Sequence, residues 1–435
     1  MSPPITFANL ALSALAALAG DSDDPDLSPL AAHRGPFDAD RLAVAVSAAL
    51  LRQGTEDRRC LQLADAMHLD GVDLLVLALT TSVELDVWVG RAVARLQAPL
   101  GGSRPTLALL AAALAPLGPR ATTGALASSA AVQCGLVELL LPEAPLAERP
   151  VRLPAAVAMA LRGRRALPPG VTEVVGAVPL AASVSALAQE HAAALARPGR
   201  ALVVRSSADE EASAAAIAVA GALGRSAVRV EGDAPGLTGW LHLADCAVVR
   251  RVEATPGERV RVSAPTGWQG PLLVLTGPDG LVQVEGRTAW TWDLPDPDPD
   301  ERRLLWTTAL GAEKPWIDAL ARDHLHGAAR IATLGSLARH HADARGAPSP
   351  TRQDVDAAVL GAEGTGLEAL AQRVFDRVPD DALVVSDAVR SDLLHLLARC
   401  RRRDTLETGL GPAMTARRRP GVRALLSGPP GTGKT

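Results

Sequence analysis

Between Arg200 and Gly280 short aliphatic runs alternate with a helix-like stretch, and this alternation limits the fold more than any other feature of the chain. "RALVVRS" is followed by "DEEASAAAIAVAGALG", and then by "SAVRVEG", "CAVVRRVE" and "PLLVLTGPDG". Runs that are apolar at nearly every position suit strands buried on both faces, and such strands belong to parallel sheets whose crossovers are helices. A parallel α/β sheet is therefore expected within residues 176–310. Hydrophobic residues make up 48% of the chain but aromatic ones only 2%, with no Tyr, so the apolar mass is mainly Ala, Leu and Val. That balance favours helices packed through small side chains, and the chain should be helix-rich overall. At 435 residues it can hold two or three domains, each with its own core.

A second apolar run, "VRALLS", precedes the end of the chain and should also form a buried parallel strand. After it the pattern G-x-x-x-x-G-K-[ST] is filled by Gly428, Pro429, Pro430, Gly431, Thr432, Gly433, Lys434 and Thr435. Glycines let the backbone curl so that successive N–H groups meet phosphate oxygens with no Cβ in the way. The lysine reaches the β- and γ-phosphates of ATP, and the Thr435 hydroxyl is placed to ligate Mg²⁺. A helix beginning here would set its positive end beneath the phosphates. Lys+Arg is 44, yet the lysines are Lys314 and Lys434 alone. Lysine has been kept where a compact point charge is needed and arginine's planar fork would not fit.

"GPPGTGKT" resembles the Walker A loop of AAA+ ATPases, and "DDALVVSDAVRSDLLHLLARCRRR" before it is similar to the lead-in helix of an AAA module. The resemblance implies a second AAA module over residues 367–435. It also implies a first module at 176–310 with a helical lid at 311–366. "WDLPDPDPDERRLLWTTAL" resembles the passage from the last core strand to the lid. "WIDALARDHLHGAARIATLGSLARHHADARG" and "SPTRQDVDAAVL" look like lid helices, the latter capped.

The resemblance implies that the first module has lost its chemistry. Setting "ALVVRSSADEEA" under "ALLSGPPGTGKT" puts Arg205 at Gly428, Glu210 at Gly433, Glu211 at Lys434 and Ala212 at Thr435. At ~4 Å and a near-surface dielectric, each carboxylate in a lysine's place costs a triphosphate on the order of 4 kcal/mol. In "CAVVRRVE" the strand that should end in Asp-Glu ends in Arg250 and Arg251, and guanidinium groups do not hold magnesium. The first module is expected to be a packing or ring-forming partner of the second.

Residues 1–40 combine an Ala-Leu run with "GDSDDPDLSPLAAHRGPFD" and read as a mobile leader, with room for one helix. Residues 41–165 read as several helices followed by two short strands around the Pro-rich "GLVELLLPEAPLAERPVRLP", the order of a winged-helix domain. "VELDVWVGRAVARLQAPLGGSRPTLALL", with its Arg104-Pro105-Thr106 step, resembles the N-terminal winged-helix region of a bacterial AAA ATPase group, some encoded beside contractile injection systems. Such a domain binds DNA or protein. No dense Lys/Arg helix lies in this stretch and the net charge is −4, which favours a protein partner over DNA.

Other classes are set aside by their chemistry. Cys60, Cys134, Cys246 and Cys400 lie far apart without a C-x-x-C pair, and the nine histidines are scattered, with His324/His326 and His340/His341 the only clusters. These read as isolated thiols and solvated helix faces, not as a zinc site or a disulfide framework. No apolar stretch is long enough to span a bilayer and "MSPPITF" carries no basic n-region, so a cytoplasmic protein is expected.

Turnover also needs an acidic pair, a polar sensor and an arginine finger, which the family resemblance places after the loop. The chain given is therefore expected not to hydrolyse ATP by itself, and residues from about 404 onward are expected to be poorly held. The full-length protein is expected to be an ATP- and Mg²⁺-dependent remodelling or assembly ATPase that forms a homo-oligomeric ring on a protein substrate. Two other readings stay open: a winged-helix NTPase regulator of transcription, and a non-enzymatic scaffold.

Overall fold

The computed structural model describes residues 6–34, 39–51, 57–176, 178–362 and 384–401, with Val422, Ala424, Leu425 and Ser427. The chain divides into two compact units, Met1–Gly176 with Leu187–Asp293, and Ala177–Ala186 with Leu294–Thr435. Each is described by itself.

The first unit begins with helices: α1 (Phe7–Ala19), α2 (Ala39–Leu51), α3 (Arg58–Met67), α4 (Gly71–Leu85), α5 (Val87–Leu96), α6 (Leu107–Leu114), α7 (Thr123–Ala127) and α8 (Ala130–Gln133). The two-residue strands β1 (Glu138–Leu139) and β2 (Val151–Arg152) then pair antiparallel, before α9 (Ala155–Leu161). The most buried helix is α4, whose N-cap Asp70 and N3 residue Asp73 form a reciprocal capping box. The Arg104-Pro105-Thr106 step is held by one buried amide. Gln97 Nε2 donates to the carbonyls of Gly102 and Arg104 at 2.8 Å, its Oε1 accepts from Thr106 N–H at 3.1 Å, and Thr106 caps α6.

Residues 7–33 are folded, contrary to the expected mobile leader. Thr6 caps α1, Phe7 and Leu15 are fully buried, and Leu27 and Leu30 anchor the 3₁₀ segment Pro25–His33. The Asp-Pro-Ser density that suggested mobility lies between these anchors, where Asp24 caps the 3₁₀ segment and pairs with Arg95.

The sheet of the first unit has the order β10-β4-β8-β6-β5-β3. Its strands are β3 (Val171–Glu173), β4 (Arg200–Arg205), β5 (Ser226–Val230), β6 (Cys246–Arg251), β8 (Leu272–Thr276) and β10 (Thr288–Asp293). All pairings are parallel except that of the edge strand β3 with β5. A separate parallel pair is formed by β7 (Arg259–Val262) and β9 (Leu281–Val284). The helix α10 (Ala182–Leu195) leads into β4, α11 (Asp209–Ala222) connects β4 to β5, and α12 (Leu237–Ala244) connects β5 to β6. This is a helix-rich α/β fold with a mixed, mainly parallel sheet.

Ala201 to Val204, Cys246 to Val249 and Leu272 to Leu275 are all 2% exposed or less, as a doubly covered sheet requires. Ala201, Val203, Val248, Leu272 and Val274 share one core with α4, α6, α9 and the fully buried Trp240 of α12. By the period-2 alternation of strands, Leu202, Val204, Val249, Leu273 and Leu275 point to the other side, and α11 packs across β4, β5, β6 and β8. The helical segment 41–165 is thus not a separate domain from the sheet.

In the second unit, α13 (Pro299–Leu310), α14 (Ile317–Asp323), α15 (Ala328–Ala344) and α16 (Arg352–Ala362) enclose Trp306, Leu320, Ile331, Leu334 and Val355. The boundary at Asp293/Leu294 places α13 with the lid-like helices, not with the core that was expected to run to residue 310. Asp298 and Glu301 form a capping box on α13, and Glu301 also accepts from Ser183 N–H at 2.6 Å. The helix α17 (Asp387–Arg401) falls within the expected lead-in segment. No described helix is long and apolar enough to cross a membrane.

Two predictions follow from the second unit. A Cβ on Gly335 of α15 would lie 2.5 Å from the Ala309 Cβ and 2.9 Å from its carbonyl oxygen. Gly335→Ala should therefore weaken hydrogen-exchange protection in α13 and α15 by about 1–3 kcal/mol, despite the ~1 kcal/mol by which Ala normally favours a helix. Asp354 is 4% exposed and caps α16, accepting from the Thr351 N–H and hydroxyl at 2.7 Å and pairing with Arg345. Burial alone would raise its carboxyl, but these bonds outweigh it and hold the pKa below the ordinary value. Its contribution is complete above the unfolded carboxylate pKa and is lost as pH falls through the lowered folded value. Acid titration of α15–α16 protection should show this loss in the native chain and a flattened profile in Asp354→Asn.

Candidate functional site

A parallel sheet opens to ligands at the carboxyl ends of its strands, most readily where the strand order reverses direction. Here the order reverses at β4: the chain leaves it for β5, winds back through β6 and β8, and places β10 on the far side. The turn after β4 is thus where a phosphate-binding module would hold its ligand.

That turn, Ser206 to Ala208, is closed by protein groups. Ser206 N–H bonds the Thr276 carbonyl at 3.2 Å, and Ser206 Oγ accepts from Ala208 N–H at 3.0 Å. The Arg205 guanidinium is bonded to the carbonyls of Pro278 at 3.0 Å and Gly280 at 2.7 Å. Asp209, Glu210 and Glu211 fill the first turn of α11, so the positive end of the helix is met by its own carboxylates. Asp209 Oδ2 lies 3.1 Å from Arg251 Nη1 and 3.9 Å from Arg229 Nη2, and Arg251 also reaches Glu253 at 3.7 Å.

At the end of β6 stand Arg250 and Arg251, whose guanidinium groups could not hold a metal ion. Arg250 Nη1 donates to the Val230 carbonyl at 2.8 Å, and its Nη2 is 3.9 Å from Asp233, which itself accepts from the Thr266 hydroxyl at 2.6 Å. Burial lowers the Arg250 pKa, with Asp233 opposing.

Two cavities border this rim. The smaller, about 180 Å³, is lined by Ser206, Ser207, Asp209, Arg251 and Thr276, among others. The Thr276 residue is 5% exposed and its hydroxyl has no hydrogen-bond partner among the described residues. The volume is below the roughly 300–1,000 Å³ usual for a small-molecule site, and its carboxylate faces the place of a phosphate. These residues do not fit a magnesium triphosphate. The larger cavity, about 790 Å³, lies outside β5, β6 and β7.

The loop Gly428–Thr435, with the predicted nucleotide contacts of Lys434 and the metal contact of Thr435, lies outside the described residues, as does most of the segment from 404 onward. The strand expected at "VRALLS" does not form at its described positions. Val422, Ala424, Leu425 and Ser427 carry no regular structure, Leu425 is 92% exposed, and the six-stranded sheet includes no strand from this segment. A single extended run without a neighbouring strand leaves its backbone groups unpaired.

Arg205, Glu210, Glu211, Arg250 and Arg251 do occupy the carboxyl rim of one sheet, as the paired sequences suggested. The sequence reading missed Arg229, Asp233, Arg261 and Thr276, which arrive from separate strands and turns. Only Thr276, a polar residue closing the apolar run "LLVLT", carried any local signal. Among the described residues no group of three or more His, Cys, Asp or Glu could hold a metal. Burial, aided by Asp57, pushes the Cys60 thiol up to about 12, and burial also raises Cys134 and Cys246. No protein-family model matches the chain, and no curated protein matches it.

The half-exposed Asp209–Arg251 contact and the Asp209 charge at the helix terminus together stabilise by about 1 kcal/mol. Asp209→Asn should shift urea unfolding of the first unit by that amount, and the difference should shrink in 1 M salt (roughly) as the charges are screened.

Proposed function

We propose that the chain belongs to an ATPase of the AAA class in which the first module has become a nucleotide-free packing unit and Gly428–Thr435 bind ATP with Mg²⁺. The observation that carries this reading is the inverted charge at one topological position. The β4–α11 turn lies at the strand-order reversal of a mainly parallel sheet, yet presents Asp209, Glu210 and Glu211 where phosphates would sit. Arginines close β6 in place of carboxylates. The same apolar lead-in recurs before the intact loop, with Lys434 and Thr435 at the corresponding positions.

In this reading the first module assembles with its neighbours in a homo-oligomeric ring, and the second converts ATP binding and hydrolysis into work on a protein partner. The loop backbone would cradle the phosphates, Lys434 would neutralise the β- and γ-oxygens, and Thr435 would hold the metal. The helical half shares a core with the nucleotide-free sheet, so a partner seated on it would bear directly on that module.

Binding of a fluorescent ATP analogue with Mg²⁺ to the full-length protein tests the assignment. Lys434→Ala should weaken binding by on the order of 10- to 100-fold, the value of a charge-assisted bond. Glu211→Ala should leave binding unchanged. Unaltered affinity in Lys434→Ala would remove the loop from the site.

A further inference from the structure

The larger cavity outside β5, β6 and β7 is a second place where strands end together, and its chemistry differs from that of the β4 turn. About 790 Å³ in volume, it is lined by Arg229, Arg250, Arg251 and Arg261 against Glu231 and Glu253. Counted with Asp209 and Asp233, their ion-pair partners, these four arginines stand against four carboxylates, and Arg250 also donates to the Val230 carbonyl at 2.8 Å. The pairings differ in closeness. Arg229 and Arg250 meet Asp209 and Asp233 at 3.9 Å, the outer limit of an ion pair, and their buried Nε atoms have no hydrogen-bond partner among the described residues. Arg251 is the better paired, at 3.1 Å from Asp209. Arg261 is exposed, on the face of β7 opposite the buried Val262.

We propose that this cavity binds a small ligand through two or more phosphate groups. Guanidinium forks match the paired oxygens of phosphate, and several forks converging from different strands favour a multiply charged oxyanion over a single carboxylate. The volume is that of a small-molecule site. The lining contains no aromatic side chain on which a base could stack; its apolar surface comes from Val230, Val252 and Val262. Recognition is therefore of the phosphates alone, whether they belong to free polyphosphate or to the tail of a nucleotide. The carboxylates Glu231 and Glu253 keep the unliganded cavity from carrying the whole positive charge. None of the residues named for this site belongs to Gly428–Thr435, so it does not depend on that loop's assignment.

The test uses the full-length protein carrying Lys434→Ala, in EDTA, so that the loop does not contribute. Calorimetric titration with sodium tripolyphosphate should give saturable binding. Arg261→Gln should weaken it at least tenfold without touching the core, and Arg250→Gln should do the same if that variant folds. Arg197→Gln, an exposed arginine outside the cavity, should bind as the parent does. Equal affinity for tripolyphosphate and ATP supports recognition of phosphates alone. Three results overturn the proposal: no binding of tripolyphosphate, equal losses in Arg261→Gln and Arg197→Gln, or ATP binding more than tenfold tighter than tripolyphosphate.

Discussion

Burial of the parallel sheet on both faces is the constraint from which the rest of the first unit follows. Strands such as β4, β6 and β8 have no polar face to offer water, so each side must be covered by other elements. One side is covered by α11. The other shares a continuous core with the helical half, and α12, carrying Trp240, packs against α3, α9 and β6. Close approach makes this contact specific. A Cβ on Gly239 of α12 would lie 2.3 Å from Leu136 Cδ1, and Gly236, at φ +70°, would meet Val157 and Pro154. With both faces covered, the carboxyl ends of the strands become the place where charged side chains collect.

What collects there is a set of charges of both signs, acidic side chains opening α11 and arginines closing β6. A helix N-terminus facing solvent attracts anions, and here the anion is Asp209, from the helix itself. The end of β6 carries arginines, one of which closes on Asp209. Such a half-exposed pair contributes little stability. Its effect is to exclude: a triphosphate entering the β4 turn would meet the carboxylates of α11 and a space of about 180 Å³.

Much of this was legible in the sequence, for reasons that can be traced to particular residues. The runs "RALVVR", "SAVRV", "CAVVRR" and "LLVLT" became β4, β5, β6 and β8, since strands buried on both faces leave a pattern that solvent exposure cannot blur. The cap read in "SPTRQDVDAAVL" marked the start of α16, where Thr351 and Asp354 bond, because caps are local chemistry. The N-terminal segment was misread because its composition between Asp21 and Asp26 is that of a disordered chain, while its order comes from Phe7, Leu15, Leu27 and Leu30 meeting distant partners. The large cavity was illegible for the same reason. Arg229, Arg250 and Arg261 stand some twenty and ten residues apart on three different strands, and no spacing rule joins them.

The arginines also show why basic content alone is a poor guide to partners in this chain. With lysine confined to two positions, guanidinium groups take over structural tasks that need a fork of donors. Arg302, 3% exposed, bonds the carbonyls of Ala321 and Pro297, and Arg59 bonds that of Ala160. Arg287 gathers the carbonyls of Arg200, Gly270 and Trp268, tying β10 and its neighbours together at their amino ends. An arginine engaged in this way contributes its charge to the total but has fewer donors left for a ligand. Arg229, Arg251 and Arg261 differ, because among the described residues their guanidinium groups bond no backbone carbonyl, and all three line one cavity. A chain of net charge −4 can therefore still gather four arginines around one cavity. Its location follows from the strands' common direction, which brings side chains distant in sequence to a single rim.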